Sequence, residues 1–125
     1  MTSVLIIEDT LELAEVIEAT LESMGLDTVH ETHGARAIER FYDVEPDLIL
    51  LDIGLPDMPG WEILHEIKAY VEQTGASVKV IVITAYDDPA NRLVGKLQDV
   101  HSYLVKPFTS HQIENVVYEV LHSQV

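Results

Sequence analysis

The sequence predicts an α/β domain built around a single doubly wound parallel sheet. Three observations lead there. Five short apolar runs, at residues 3–7, 26–31, 47–52, 78–83 and 100–105, alternate with stretches of helical periodicity. The connections are short, which implies parallel pairing, right-handed crossovers and helices on both faces of the sheet. The third run, Leu48-Ile49-Leu50-Leu51, has no polar alternation, as expected of a strand buried on both faces.

The first run, Val4-Leu5-Ile6-Ile7, closes on Glu8-Asp9 and reads as a buried strand. From Thr10 the period changes: Ala14, Ile17, Leu21 and Met24 recur at helical spacing among glutamates, and Gly25 is a stop signal. Residues 26–31 form a weaker strand nearer the sheet edge. Gly34 opens a second helix with Ala35, Ala37, Ile38 and Phe41 as its inner face, and Pro46 ends that connection. After the third strand, Ile53-Gly54-Leu55-Pro56-Asp57-Met58-Pro59-Gly60 reads as a loop. The third helix runs from Trp61 to about Gln73, with Ile63, Leu64, Ile67 and Val71 on one stripe and Gly75 at its end. The fourth strand closes on Thr84. Asp88-Pro89 then resembles a helix start, an acid cap with Pro at the first helical position. That fourth helix is short, with Leu93, Val94 and Leu97 as its apolar anchors. The fifth strand closes on Lys106-Pro107. Thr109 and Gln112 have capping-box spacing before a fifth helix whose inner face is Ile113, Val116, Val117, Val120 and Leu121.

The chain has 125 residues, of which 47% are hydrophobic, so a single domain over 1–125 can bury a substantial core. No apolar run approaches the roughly 20 residues of a spanning helix. The N-terminus lacks a basic region and reads as a first strand, not a signal peptide. The absence of cysteine excludes disulfides and thiolate metal sites and fits a cytoplasmic protein. The net charge of -15, from 22 acids against 7 bases, argues against direct binding to nucleic acid, which depends on Lys and Arg at phosphates. The chain ends soon after the fifth helix, so no effector domain is expected.

The polar residues that close the strands form a pattern. Strand one ends at Glu8-Asp9, strand three at Asp52, strand four at Thr84 and strand five at Lys106. In open α/β sheets ligands bind beyond the carboxyl ends of the strands, so these groups are expected on one rim. Three adjacent carboxylates repel one another. A divalent cation together with Lys106 balances them, and Mg²⁺ suits an all-oxygen site that leaves positions open for phosphoryl oxygens. Thr84 can donate to one such oxygen, Lys106 can pair with another, and Asp52 is placed as the nucleophile of an aspartyl-phosphate mechanism.

These motifs resemble those of the response-regulator receiver domain of two-component phosphorelay signalling. The resemblance rests on Ile7-Glu8-Asp9, Leu51-Asp52-Ile53-Gly54-Leu55-Pro56, Pro59-Gly60, Ile83-Thr84-Ala85 and Tyr103-Leu104-Val105-Lys106-Pro107-Phe108, in this order along the whole chain. It implies a flavodoxin-like sheet in order 2-1-3-4-5 with five helices. It implies that Asp52 takes a phosphoryl group from a histidine kinase or histidine phosphotransfer protein, and that Glu8, Asp9, Asp52 and the backbone carbonyl of Gly54 hold Mg²⁺. Pro107 is expected to follow a cis peptide. Thr84 and Tyr103 are expected to act as a switch that remodels the face formed by helix four, strand five and helix five, where a downstream protein or a second copy would dock. The chemistry is self-phosphorylation and slow self-dephosphorylation, not turnover of a metabolite. Two residues depart from the commoner pattern: Glu8 stands where Asp is usual, and Gly54 where a larger side chain is usual. With water less shielded at Gly54, Tyr86 is expected to contribute to phosphoryl lifetime.

Three other classes fit less well. A flavodoxin-like FMN protein needs a phosphate loop after strand one, where Glu8-Asp9 stands. Phosphatases with an Asp nucleophile carry a second acid two residues on, here Gly54. A phosphorylation-independent docking adaptor typically lacks part of the acid and lysine set, which is complete here. The isolated readings of other residues are structural: Asp57, Asp87 and Asp88 as solvated loop acids, Trp61 as packing at the start of the third helix, and the six histidines as scattered and without metal spacing.

Overall fold

The computed structural model describes residues 2–85 and 100–123. The strands are β1 (Ser3–Ile7), β2 (Asp27–Glu31), β3 (Leu48–Asp52), β4 (Lys79–Thr84) and β5 (Ser102–Val105). The helices among the described residues are α1 (Leu11–Ser23), α2 (Gly34–Val44), α3 (Gly60–Thr74) and α4 (Ser110–Leu121). All strand pairs are parallel, in the order β2-β1-β3-β4-β5. The description thus contains four helices; the helix expected from Asp88-Pro89 falls outside the described residues, as does Tyr86. The fifth expected helix is α4.

Strand alternation divides the continuous apolar runs between two cores. Val4, Ile6, Leu48, Leu50, Ile81, Ile83 and Leu104 pack with Ile17 and Leu21 of α1 and Ile113 and Val117 of α4. Their neighbours Leu5, Ile7, Ile49, Leu51, Val80 and Val82 face the other way, onto Phe41 of α2 and Ile63, Leu64 and Ile67 of α3. Every residue of β3 is buried, because it lies at the centre of the sheet with a core on each face.

The helix ends follow the local chemistry. Gly25 and Gly75 adopt φ of 82° and 73°, conformations open to residues without a Cβ, and Gly75 closes α3. Thr109 and Gln112 form the expected capping box: the Thr109 hydroxyl accepts the Gln112 N–H at 3.1 Å, and the Gln112 side chain accepts the Thr109 N–H at 2.8 Å. At the other end of α4, Lys79 donates to the carbonyls of Val120 and Ser123, at 2.8 and 3.1 Å. The inner face of α2 differs from the expected one. Gly34, Ala37 and Phe41 are buried, Ile38 is half-buried and Ala35 is exposed. The stripe begins at Gly34 because the loop before α3 packs there. A Cβ on Gly34 would lie 2.5 Å from Met58 Cγ and 2.9 Å from Ile63 Cδ1.

Asp57 is not the solvated loop acid expected from its neighbours. Its carboxylate accepts the N–H groups of Gly34 at 2.9 Å and Ala35 at 3.2 Å, capping α2 from across the sequence. The helix needs this, because His33 at its N-cap position makes no side-chain cap bond. The Gly34 N–H, with help from Ala35, holds the Asp57 carboxyl below its ordinary pKa. Asp57→Ala should therefore lower the melting temperature and speed amide hydrogen exchange at Gly34 and Ala35. Asp57→Asn should restore only part of both, since its single acceptor oxygen can replace one of the two carboxylate bonds.

Candidate functional site: an acidic cleft at the carboxyl edge of the sheet

The register brings the strand ends together. Ile7 stands opposite Leu51, so Glu8 follows directly beside Asp52. Asp52 stands opposite Ile83, and Thr84 opposite Val105, which steps the edge across to Lys106. The residues predicted from four separate segments thus meet at one place. The cleft there is lined by Asp9, Thr10, Asp52, Gly54, Thr84 and Lys106, with Trp61 at its side.

Asp52 is buried, and each of its oxygens has a donor. The Gly54 N–H donates to Oδ1 at 2.7 Å, and the Lys106 ammonium donates to Oδ2 at 2.8 Å. The Gly54 bond follows from the turn that begins where β3 ends. The Lys106-Pro107 peptide is cis, as the resemblance implied. Lys106 also lies 3.1 Å from Glu8 Oε1, so the ammonium sits between two carboxyl groups. Burial alone would lower its pKa. The hydrogen bond and charge of Asp52, joined by the charge of Glu8, raise it instead.

Glu8 is fully buried. Oε2 accepts the Thr10 N–H at 3.1 Å, whereas Oε1 accepts no hydrogen bond among the described residues despite the nearby ammonium. Burial, and then the hydrogen bond and charge of Asp52, push the Glu8 carboxyl up to about 8. Asp9, by contrast, is exposed at the mouth of the cleft. Glu8, Asp9 and Asp52 each offer a carboxylate oxygen, and the three oxygens lie within 4.8 Å of one another. This donor set suits a hard divalent cation, and the unsatisfied buried oxygen of Glu8 is a position such an ion would fill. Capping alone does not account for Glu8, since the backbone N–H it accepts is that of the N-cap residue Thr10.

Thr84 is buried at the end of β4, and Tyr103 is half-buried against the core that faces α2 and α3. Sequence reasoning missed two contributors. His30 on β2 donates from Nε2 to the Glu8 carbonyl at 2.7 Å, tying the end of β1 to its neighbour, and its Nδ1 lies 3.8 Å from Glu18. Thr10 lines the cleft and supplies the N–H to Glu8. Strand alternation put His30 within reach of β1, but nothing in sequence spacing pointed to Thr10.

A doubly wound sheet in this order, with three acids, a threonine and a lysine on its carboxyl edge, defines a receiver-type α/β module. The chain belongs to the response regulator receiver domain family, which it matches over residues 4–118. It is 30% identical over 118 residues to the probable transcriptional regulator ycf27 of Guillardia theta, covering 94% of this chain and 44% of that protein. The chain thus spans less than half the length of that relative. Among solved structures, the chemotaxis protein CheY4 of Vibrio cholerae superposes with a TM-score of 0.85 at 24% identity, covering 96% of this chain and 98% of that one. A signal receiver domain from Vibrio parahaemolyticus gives 0.84 at 27% identity, covering 96% and 89%. The BeF3-activated N-terminal receiver domain of RstA from Klebsiella pneumoniae gives 0.82 at 24%, covering 98% and 100%. No helix among the described residues is long and apolar enough to cross a membrane.

Proposed function

We propose that this domain is a phosphoacceptor in two-component signalling, with Asp52 receiving the phosphoryl group from a histidine kinase or phosphotransfer protein. The observation that carries this is the setting of Asp52. It is a buried carboxylate at the end of the central strand, with an N–H on one oxygen, an ammonium on the other and two further acids beside it. A carboxylate oxygen of Asp52 attacks phosphorus, the P–N bond of the donor phosphohistidine breaks, and its electron pair leaves on the imidazole nitrogen. Lys106 turns from Asp52 toward a phosphoryl oxygen, and the Thr84 hydroxyl donates to another. Glu8, Asp9, Asp52 and the Gly54 carbonyl would hold Mg²⁺, which when bound offsets the charge of the phosphoryl oxygens. The switch assigns Thr84 and Tyr103 to a shift between two packings, read by a downstream partner on the face that includes β5 and α4. The fourth-helix part of that face lies outside the described residues.

The test is incubation with Mg²⁺ and a small phosphodonor, followed by intact mass. A single phosphate-sized adduct is expected, absent in Asp52→Asn. No adduct on the folded, Mg²⁺-loaded protein would leave a phosphorylation-independent docking module as the reading. Phosphoryl lifetime provides a further check. A Cβ at Gly54 would stand 3.4 Å from Asp52 Oδ1, an ordinary contact, so Gly54→Asn fits and screens the acyl phosphate from water. Its dephosphorylation, followed by loss of the adduct, should slow several-fold.

A further inference from the structure

Beside the acidic cleft, α2 and the start of α3 leave a groove of about 360 Å³ between them. Its floor is Ile38, Met58 and Trp61, all half-buried against the core, and its rim is Glu62, His65 and Glu66, all exposed. On the rim, the hydroxyl of the solvent-exposed Tyr42 donates to Glu66 at 3.3 Å. Apolar side chains in a channel edged by acids have the complementary pattern of a cationic amphipathic segment, whose apolar residues enter the floor while its Lys and Arg meet the rim. The whole surface favours such an approach, since the chain carries a net charge of -15. Trp61 lines this groove and also the cleft around Asp52, so the two share a wall.

We infer that the α2–α3 groove is a docking site for a basic amphipathic segment of a partner protein. Its apolar residues would seat on Ile38, Met58 and Trp61, and its cations would pair with Glu62 and Glu66. The site is separate from the β5–α4 face assigned to output above.

Trp61 is the chain's one tryptophan, so its emission reports the groove directly. The probe is a synthetic 18-residue Lys/Leu peptide with its leucines at helical spacing, titrated into the whole 125-residue chain. A saturable change in Trp61 emission is expected, weakening as salt is raised. The double variant Glu62→Lys/Glu66→Lys should bind the peptide at least about tenfold more weakly. Glu12→Lys/Glu15→Lys on the outer face of α1 makes the same change in net charge and should alter binding less than about twofold. Ile38→Ala, which leaves the rim intact, should also weaken binding, and circular dichroism checks that each variant is folded. Three results would each overturn the proposal: no saturable change, equal weakening by the two charge-reversed pairs, or sedimentation showing that the groove is covered by a second copy of the chain.

Discussion

Raising the pH of the metal-free protein from 5 to 8 should steadily lower its stability to urea, and Glu8→Gln should remove most of that dependence. The cause is the raised Glu8 carboxyl, which burial first and Asp52 second push up to about 8 from an ordinary value of 4.5. Between those two values the folded chain holds a proton on Glu8 that the unfolded chain has released. The free energy of unfolding therefore falls as pH rises through this interval and levels off above the folded value. The stabilising contribution is fully present below about 4.5 and lost above about 8. With about 1.4 kcal/mol per pKa unit, the cost at alkaline pH is roughly 3–5 kcal/mol, a large share of a small domain's stability.

Gln keeps an acceptor for the Thr10 N–H and carries no charge at any pH, so its curve should be flat over the same interval. If wild type and Glu8→Gln lose stability in parallel, the burial of an ionised Glu8 is not the source. Saturating Mg²⁺ should flatten the trend, because Glu8 is then ionised in the folded chain as well as in the unfolded one. A cation on Glu8 favours the ionised carboxylate, so binding releases a proton near pH 7 and affinity rises with pH. Proton release measured in weakly buffered solution checks this without reference to phosphorylation.

The parts of this site that were legible in the sequence were those fixed by strand periodicity. Leu48–Asp52 announced a strand with a core on each face, and an acid at its end had to be matched by neighbouring strand ends. Parallel register then did the rest, since Ile7 opposite Leu51 carries Glu8 to Asp52 and Thr84 opposite Val105 carries the edge to Lys106. Contacts between distant segments that follow no period were not legible. Asp57 has the loop neighbours of a solvated acid, yet it caps α2 at Gly34, far away in sequence. Ala35 has the periodicity of a core residue, but the stripe of α2 is set one residue earlier by where Met58 and Ile63 lie. His101 reads as one of the scattered histidines. Its Nδ1 accepts the Val80 N–H at 3.1 Å, while its own N–H donates to the Val80 carbonyl at 2.9 Å, extending the pairing of β4 beyond β5. Each of these is a tertiary hydrogen bond or packing choice, with no local signature.

Gly60→Ala should cost roughly 1–3 kcal/mol, despite adding one methyl group at the start of a helix where Ala is normally favoured. Gly60 is buried where α3 begins, and its N–H donates to the Ile53 carbonyl at 3.3 Å, closing the loop that follows β3. A Cβ at this position would overlap Ile53 Cα, with Ile53 Cγ2 at 2.9 Å and Cβ at 3.0 Å. The obstacle includes backbone, so no rotamer change can relieve it. Either α3 or the loop must move, and the same loop carries Gly54, whose N–H holds Asp52. Gly60→Ala should therefore do two things at once: shift the urea midpoint and slow formation of the Asp52 adduct. Gly54→Ala gives the contrast. Among the described residues its Cβ has only Asp52 Oδ1 within 4 Å, at 3.4 Å, so its stability should change by less than about 0.5 kcal/mol, the usual scale for an unobstructed surface substitution. Equal urea midpoints for the two variants would show that the approach of Gly60 to Ile53 does not hold the loop in place.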